Sequence, residues 1–328
     1  MTAAQPSDTA IKDLSAVGFL VLDTLCAHAD AMPPKGGATF VDRSTMTVAG
    51  TAGATAFDCA LMGLDVQIAT EVGCDVMGDW LLSEMARVGI DTRLVSRNAE
   101  VQTSMSMLPI STDGARSAFF VPGTSNTFTL AQTAMDAATD AAIVHLGGTG
   151  LLAAFDGAPS RDLLQMARDK GRKTVFDLIL ANAETIALVE PLLPLIDYFV
   201  PSIEEASAMA GVTDPAEVAR WFKARGVGNA ILTLEGRGVY VDPAEGAPFY
   251  LPAHDIEVVD TTGCGDCFTA GIITGLAKGW DLRDSARFAN TAAAHVARGL
   301  GSQGLLKSFD ETYAAMTTWP LRQEGPVS

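Results

Sequence analysis

Two kinds of segment alternate along this chain. Short β-branched and apolar runs stand at residues 16–22, 66–71, 142–146, 174–177, 198–200, 230–234 and 238–241, separated by stretches with helical apolar spacing such as 79–88, 161–168, 215–225 and 284–298. Continuous apolar runs suit strands buried on both faces, and the amphipathic stretches supply the helices that cover them. The pattern therefore predicts an α/β fold with a mostly parallel central sheet between two helical layers. A second texture interrupts it near 32–48 and 101–121, where Thr, Ser, Val, Met and Phe alternate and Asp113-Gly114 gives a turn signal. These excursions predict antiparallel strands that meet as a small β-sheet lid, built from about residues 15–50 and 98–125, over the open edge of the main sheet. No repeat or low-complexity block divides the chain, so residues 1–328 read as a single domain.

With 328 residues, 48% of them hydrophobic, the chain can bury a large core without disulfides or metal. Its net charge of −17 repels polyanions, which argues against nucleic acid and against acidic membrane surfaces as partners. A small phosphate ligand stays compatible, because oriented backbone amides can hold it inside an acidic protein. Five scattered cysteines indicate a reduced compartment, with cytoplasm as the expected location. Residues 1–13 carry no basic cluster, and the apolar run at 16–22 is too short for a signal-peptide core. The longest apolar stretch, 141–155, includes His145 and three glycines and falls short of the roughly 20 residues that cross a bilayer.

Residues 257–259 read as a strand end, and Phe268, Ile272 and Leu276 recur at helical spacing, so Gly263-Cys264-Gly265 should form a strand-to-helix turn. Glycines allow close approach of backbone to ligand, and the first amides of a helix point outward at the positive end of its dipole. An anion fits there, and phosphoryl transfer needs preorganised donors of this kind. Asp266 follows in the first turn, where it either accepts a proton from an attacking hydroxyl or simply caps the helix.

The longer string Asp260-Thr261-Thr262-Gly263-Cys264-Gly265-Asp266-Cys267-Phe268-Thr269-Ala270-Gly271 closely resembles the C-terminal signature of the ribokinase/PfkB family of carbohydrate kinases, D-T-x-G-A-G-D-x-F-x-A-G. Upstream, Ala49-Gly50 with the following helix, Glu71-Val-Gly73-Cys-Asp75-Val-Met-Gly78, and Thr233-Leu-Glu235-Gly236-Arg-Gly238 are similar to further family segments in the right order, so the resemblance runs from about residue 15 to 306. It implies a ribokinase-like three-layer sandwich with a lid and an ATP- and Mg2+-dependent transfer to a hydroxyl of a sugar or sugar-like compound. Asp266 would be the base, and the amides of Gly263, Cys264 and Gly265 the anion hole. Asp23 and Gly50 would touch the acceptor, with Ala54 at the place of a sugar-contacting asparagine. Thr233, Gly236, Gly238 and Asn290 would border the nucleotide, Glu205 would serve magnesium, and Asp260 and Thr262 match positions that bind a monovalent cation such as K+ in some members. Family lids also pair into homodimers.

Departures bear on the substrate. Ala54 replaces the asparagine, Gly147 stands where ribokinase carries a glutamate, Ser202 replaces the asparagine of N-x-x-E, and Glu235 replaces a glycine of the nucleotide loop. Ribose is a poor fit to this set. A nucleoside kinase of the same fold, or a sugar-binding regulator that has lost catalysis, are the alternatives. Other signals carry less. Cys264-x-x-Cys267 has redox or zinc spacing, and a helix N-terminus would lower the Cys264 pKa, but no second pair accompanies it. Residues 301–308 end in Lys-Ser without the glycine of a P-loop, and no G-x-G-x-x-G follows the first strand. His145 reads as a satisfied core histidine, Met105 and Met107 as lid or core residues, and Arg116 as either a lid residue serving the site or a surface arginine.

Overall fold

In the computed structural model, residues 11–33, 35–112, 116–179 and 181–323 are described. The turn signal at Asp113-Gly114 and most of the N-terminal stretch 1–13 lie outside them. Nine strands form the main sheet: β1 (Lys12–Gly18), β4 (Val66–Gly73), β5 (Asp91–Asn98), β8 (Ala141–Gly147), β9 (Lys173–Phe176), β10 (Tyr198–Phe199), β11 (Asn229–Thr233), β12 (Gly238–Asp242) and β13 (Phe249–Pro252), in the order β13-β12-β11-β10-β9-β8-β1-β4-β5. All pairs are parallel except β11–β12 and β12–β13. The second sheet is the lid, with β2 (Val21–Ala27), β3 (Arg43–Ala49), β6 (Met105–Ile110) and β7 (Phe119–Val121) in the order β3-β2-β6-β7.

The strand residues alternate between two cores. Leu14 and Ala16 of β1 join the cluster under α1 (Thr51–Leu61), α2 (Val76–Arg87), α8 (Cys264–Ala277) and α9 (Leu282–Ala297). Val17 points the other way, into the cluster under α3 (Gln132–Ala138), α4 (Ala158–Asp169), α5 (Ala183–Val189), α6 (Ile203–Ala210) and α7 (Pro215–Lys223). The last helix, α10 (Phe309–Thr318), packs on α9. This is the three-layer arrangement that strands apolar on both faces require.

Four expectations need correction. The run at 16–22 is two strands: the chain leaves the main sheet after Gly18, whose φ is +123°, and Val21 already belongs to the lid, so Asp23 is a lid residue. The lid is not wholly antiparallel, because β2 and β6 run parallel; the connection between them crosses the body through α1, β4, α2 and β5 and returns in the same direction. Of the stretch 32–48, only residues from 43 onward are strand, and Phe40 is 97% exposed. Residues 257–259 are no strand either. They cross the end of α9, where the Val259 amide donates to the Ala297 carbonyl at 2.8 Å.

Chain order sets the site. From β1 the strands run one way through β4 to β5 and the other way through β8 to β13, which makes the β1–β8 boundary a topological switch point. Ligands of such sheets bind outside the carboxyl ends of the strands at that point. There Gly18 pairs with Gly147, and the Phe19 carbonyl accepts from the amides of Ala52 and Gly53, both at 3.1 Å, which docks the start of α1.

Candidate functional site

Two cavities meet above the switch point. The first, about 460 Å³, is walled by the lid and the strand ends, and among its residues are Asp23, Gly50, Asp177, Glu205, Gly263 and Asp266. The second, about 550 Å³, runs between the nucleotide-loop segment and α9, with Gly236, Gly238, Cys264 and Asn290 in its wall. Gly265, Thr233, Ser202, Thr261 and Arg116 line both. The start of α8 is therefore the partition between them.

The sequence explains that partition locally. Gly263 precedes α8 in the left-handed region at φ +78°, and a Cβ there would lie 2.4 Å from the Ser302 carbonyl oxygen, so only glycine lets this turn pack on the 301–304 loop. Asp260 clamps the same turn. Its Oδ1 accepts from the Thr262 amide at 2.9 Å and hydroxyl at 2.7 Å, and its Oδ2 accepts from the Gly301 amide at 2.8 Å. A Cβ on Gly265 would meet nothing within 4 Å, so the helix start is open on that side. The Cys264 amide already closes a turn to the Thr261 carbonyl at 3.3 Å. The Cys264 thiol is pushed up to about 12 by burial and next by the charge of Asp260, the reverse of the lowering expected from the helix start.

Asp266 sits in the first turn of α8, with its backbone carbonyl held by the Thr55 hydroxyl of α1 at 3.2 Å. Burial raises its carboxyl well above the ordinary range, reinforced by Asp177, Asp23 and Glu205 and opposed by Arg116. Asp23 is 7% exposed, its Oδ1 has no hydrogen-bond partner among the described residues, and its carboxyl rises to about 6 through burial. Glu205 is also raised by burial. Ser202 and Glu205 form a capping box at the start of α6, with the Ser202 hydroxyl donating to Glu205 Oε2 at 2.8 Å. A short serine in place of asparagine thus still ends the strand and starts the helix.

Most residues singled out in the sequence come together here, with two exceptions. Ala54 is fully buried in α1 and lines neither cavity. Asp260 is buried within its turn rather than in a cavity wall. Glu235 takes φ +54°, a left-handed conformation natural to the glycine it replaces. At Gly147 a Cβ would lie 2.7 Å from the Thr51 hydroxyl, so a glutamate has no room there. Arg116 reaches in from the lid to line both cavities, and its Nη1 donates to the Thr262 hydroxyl at 2.7 Å. Asp177 joins them in the first cavity, and its place directly after β9, at a carboxyl strand end, is the sequence signal that marks it. His145 lies behind it, with Nε2 3.4 Å from Asp177 Oδ2 and no hydrogen bond from either ring nitrogen to a described residue.

Residues 19–308 match the model of the pfkB family carbohydrate kinases. The chain belongs to this family. PfkB kinases are phosphotransferases that act on hydroxyl groups, and that is the enzyme class of this chain. It is 26% identical over 317 residues to a ribokinase of Haemophilus influenzae, covering 92% of this chain and 97% of the relative, and 26% identical over 321 residues to a nucleoside kinase of Methanothermobacter thermautotrophicus, covering 93% and 96%. The ribokinase of Arabidopsis thaliana, solved with ribose and ATP, has the same fold, with a TM-score of 0.78 at 18% identity over 94% of this chain and 99% of that one. No helix among the described residues is long and apolar enough to cross a membrane.

Proposed function

We propose that this pfkB kinase transfers the γ-phosphoryl group of ATP to a hydroxyl of an uncharged sugar-like acceptor, with Asp266 as general base. The observation that carries the reading is the shared wall: Gly265 borders both cavities and Asp266 faces the first, so a nucleotide and an alcohol would meet at the start of α8. The acceptor hydroxyl would give its proton to Asp266 as the new P–O bond forms, while the first-turn amides stabilise charge on the phosphoryl oxygens. Arg116 would add a positive charge at the same junction.

The acceptor cavity holds four carboxylates, Asp23, Asp177, Glu205 and Asp266, against the one arginine. A sugar acid or sugar phosphate would face net repulsion there. Asp23 instead offers an unpartnered buried oxygen to a ligand hydroxyl. Gly50 would allow close approach of that ligand.

Magnesium fits as an ion bound chiefly by phosphates and water. No cluster of three or more acidic, histidine or cysteine ligands exists among the described residues, and Glu205 and Asp177 line one cavity as the one or two carboxylates such an ion requires. When bound, it would neutralise charge on the phosphates. Asp260 and Thr262 would hold K+, and replacing K+ with a bulky organic cation should then lower activity.

A nucleoside acceptor is the second reading, favoured by Phe19, Leu108, Leu178 and Ile179 in the same cavity wall, an apolar surface on which a base could rest. ADP release measured across neutral sugars, sugar acids and nucleosides separates the two. Asp266→Asn should lower turnover by about a thousandfold or more while ATP still binds. Binding of a sugar with no ATP turnover by the natural chain would point to a regulator instead.

A further inference from the structure

The geometry points to Arg322, near the end of the described chain, as a residue that contacts the nucleobase of the triphosphate, so that the C-terminal segment becomes part of the nucleotide site. This rests on the kinase reading above. Arg322 lies beyond the matched family region, which ends at residue 308.

The segment is fixed in place. After α10 the chain turns back along residues 253–255: the Pro320 carbonyl accepts from the Asp255 amide at 2.9 Å, Leu321 bridges His254 in antiparallel fashion, and the Arg322 amide donates to the Ala253 carbonyl at 2.8 Å. Trp319 anchors it. Its ring lies 4.4 Å from His295 and 5.9 Å from His254, and the Arg298 guanidinium covers it at 4.6 Å.

Arg322 Nη1 donates to the Gly236 carbonyl at 2.9 Å, and the side chain lines the second cavity. A guanidinium has five N–H donors and a flat face, so this bond leaves most of its capacity for a ligand. Direction follows from the fixed points. The phosphate end is set at Gly265. Cys264 touches Ala293 of α9 through its thiol, 3.7 Å from that carbonyl, and Asn290 lies about one helical turn further along, bonded to the Pro252 carbonyl at 2.7 Å. Pro252 pairs with Gly238 of the nucleotide loop, whose Gly236 Arg322 holds. A nucleotide with its phosphates at Gly265 thus carries its base toward Asn290 and Arg322. A guanidinium there can stack on the base or donate to its ring acceptors.

The test compares ATP with inorganic tripolyphosphate, which has the phosphates and no base. By calorimetry on the full chain with Mg2+, Arg322→Ala should weaken ATP binding about tenfold and tripolyphosphate binding by less than about twofold. The KM for ATP should rise likewise, with kcat and the acceptor KM nearly unchanged, and Arg322→Lys should keep the charge but recover only part of the affinity. Equal losses for the two probes would mean that the arginine serves the phosphates or merely props the wall, and would overturn the inference. Unchanged ATP affinity in Arg322→Ala would do the same while leaving the kinase reading intact. A natural chain that binds no ATP would sink both.

Discussion

Asp23 shows how the site stores unfavourable electrostatics. Burial, followed by the charge of Asp260, outweighs the Ser106 hydrogen bond and Arg116 and lifts its carboxyl from 3.8 to about 6. A raised folded-state value means that the native chain binds the proton more tightly than the unfolded chain, so stability is fullest below the unfolded value and falls as pH rises through about 6. At most about 3 kcal/mol is lost by neutral pH at roughly 1.4 kcal/mol per unit. Asparagine at 23 carries no such penalty. The Tm advantage of Asp23→Asn over the natural chain, measured without ligands, should therefore grow between pH 4.5 and 7.5, whereas acceptor binding should weaken. An advantage that is flat with pH would contradict the argument. Asp266 obeys the same sign: as the proposed base, with a raised carboxyl, it would work only once deprotonated, so kcat/KM should climb with pH on the acidic side.

At the scale of elements, α8 does two separable jobs, and its glycines divide them. Gly263 is needed by the fold, since φ +78° and the Ser302 carbonyl leave no room for a methyl. Gly265 is helical and open. Gly263→Ala should cost roughly 1 to 3 kcal/mol in chemical denaturation, the usual strain of a non-glycine residue held left-handed. Gly265→Ala should leave stability within about 1 kcal/mol and yet abolish most activity, because its methyl would project where phosphates are expected. If both variants behaved alike in the two assays, the division between fold and anion site would be wrong. The lid strand β2 is similarly two-faced: Asp23 and Leu25 point inward, and Thr24 faces out.

Across the whole molecule, that outer lid face carries a row in register, Met46, Thr24, Met107 and Phe119, with Met46, Met107 and Phe119 exposed by 47%, 43% and 48%. An apolar strip of this kind on a chain of net charge −17 suits burial against a second copy. The expected assembly is a homodimer through the lids. Sedimentation should find dimers at micromolar concentration, and Met107→Asp, exposed and outside both cavities, should shift them to monomers without unfolding the chain. Monomers alone in the natural protein would refute this.

The α/β layering, most strand and helix positions, and the loop 260–266 with its aspartate were legible in the residues alone, because periodicity and glycine chemistry are local properties of the chain. The sequence could not place Asp23 in the lid, make β2 and β6 parallel, or keep Ala54 out of the cavity wall, since these depend on where distant segments meet. The same holds for Asp177, Arg116 and Arg322, drawn to one pair of cavities from three unrelated parts of the chain. Charge repulsion among Asp23, Asp177, Glu205 and Asp266 likewise exists only after folding has removed water from between them, which is why no reading of neighbours along the chain reveals the shifted carboxyls.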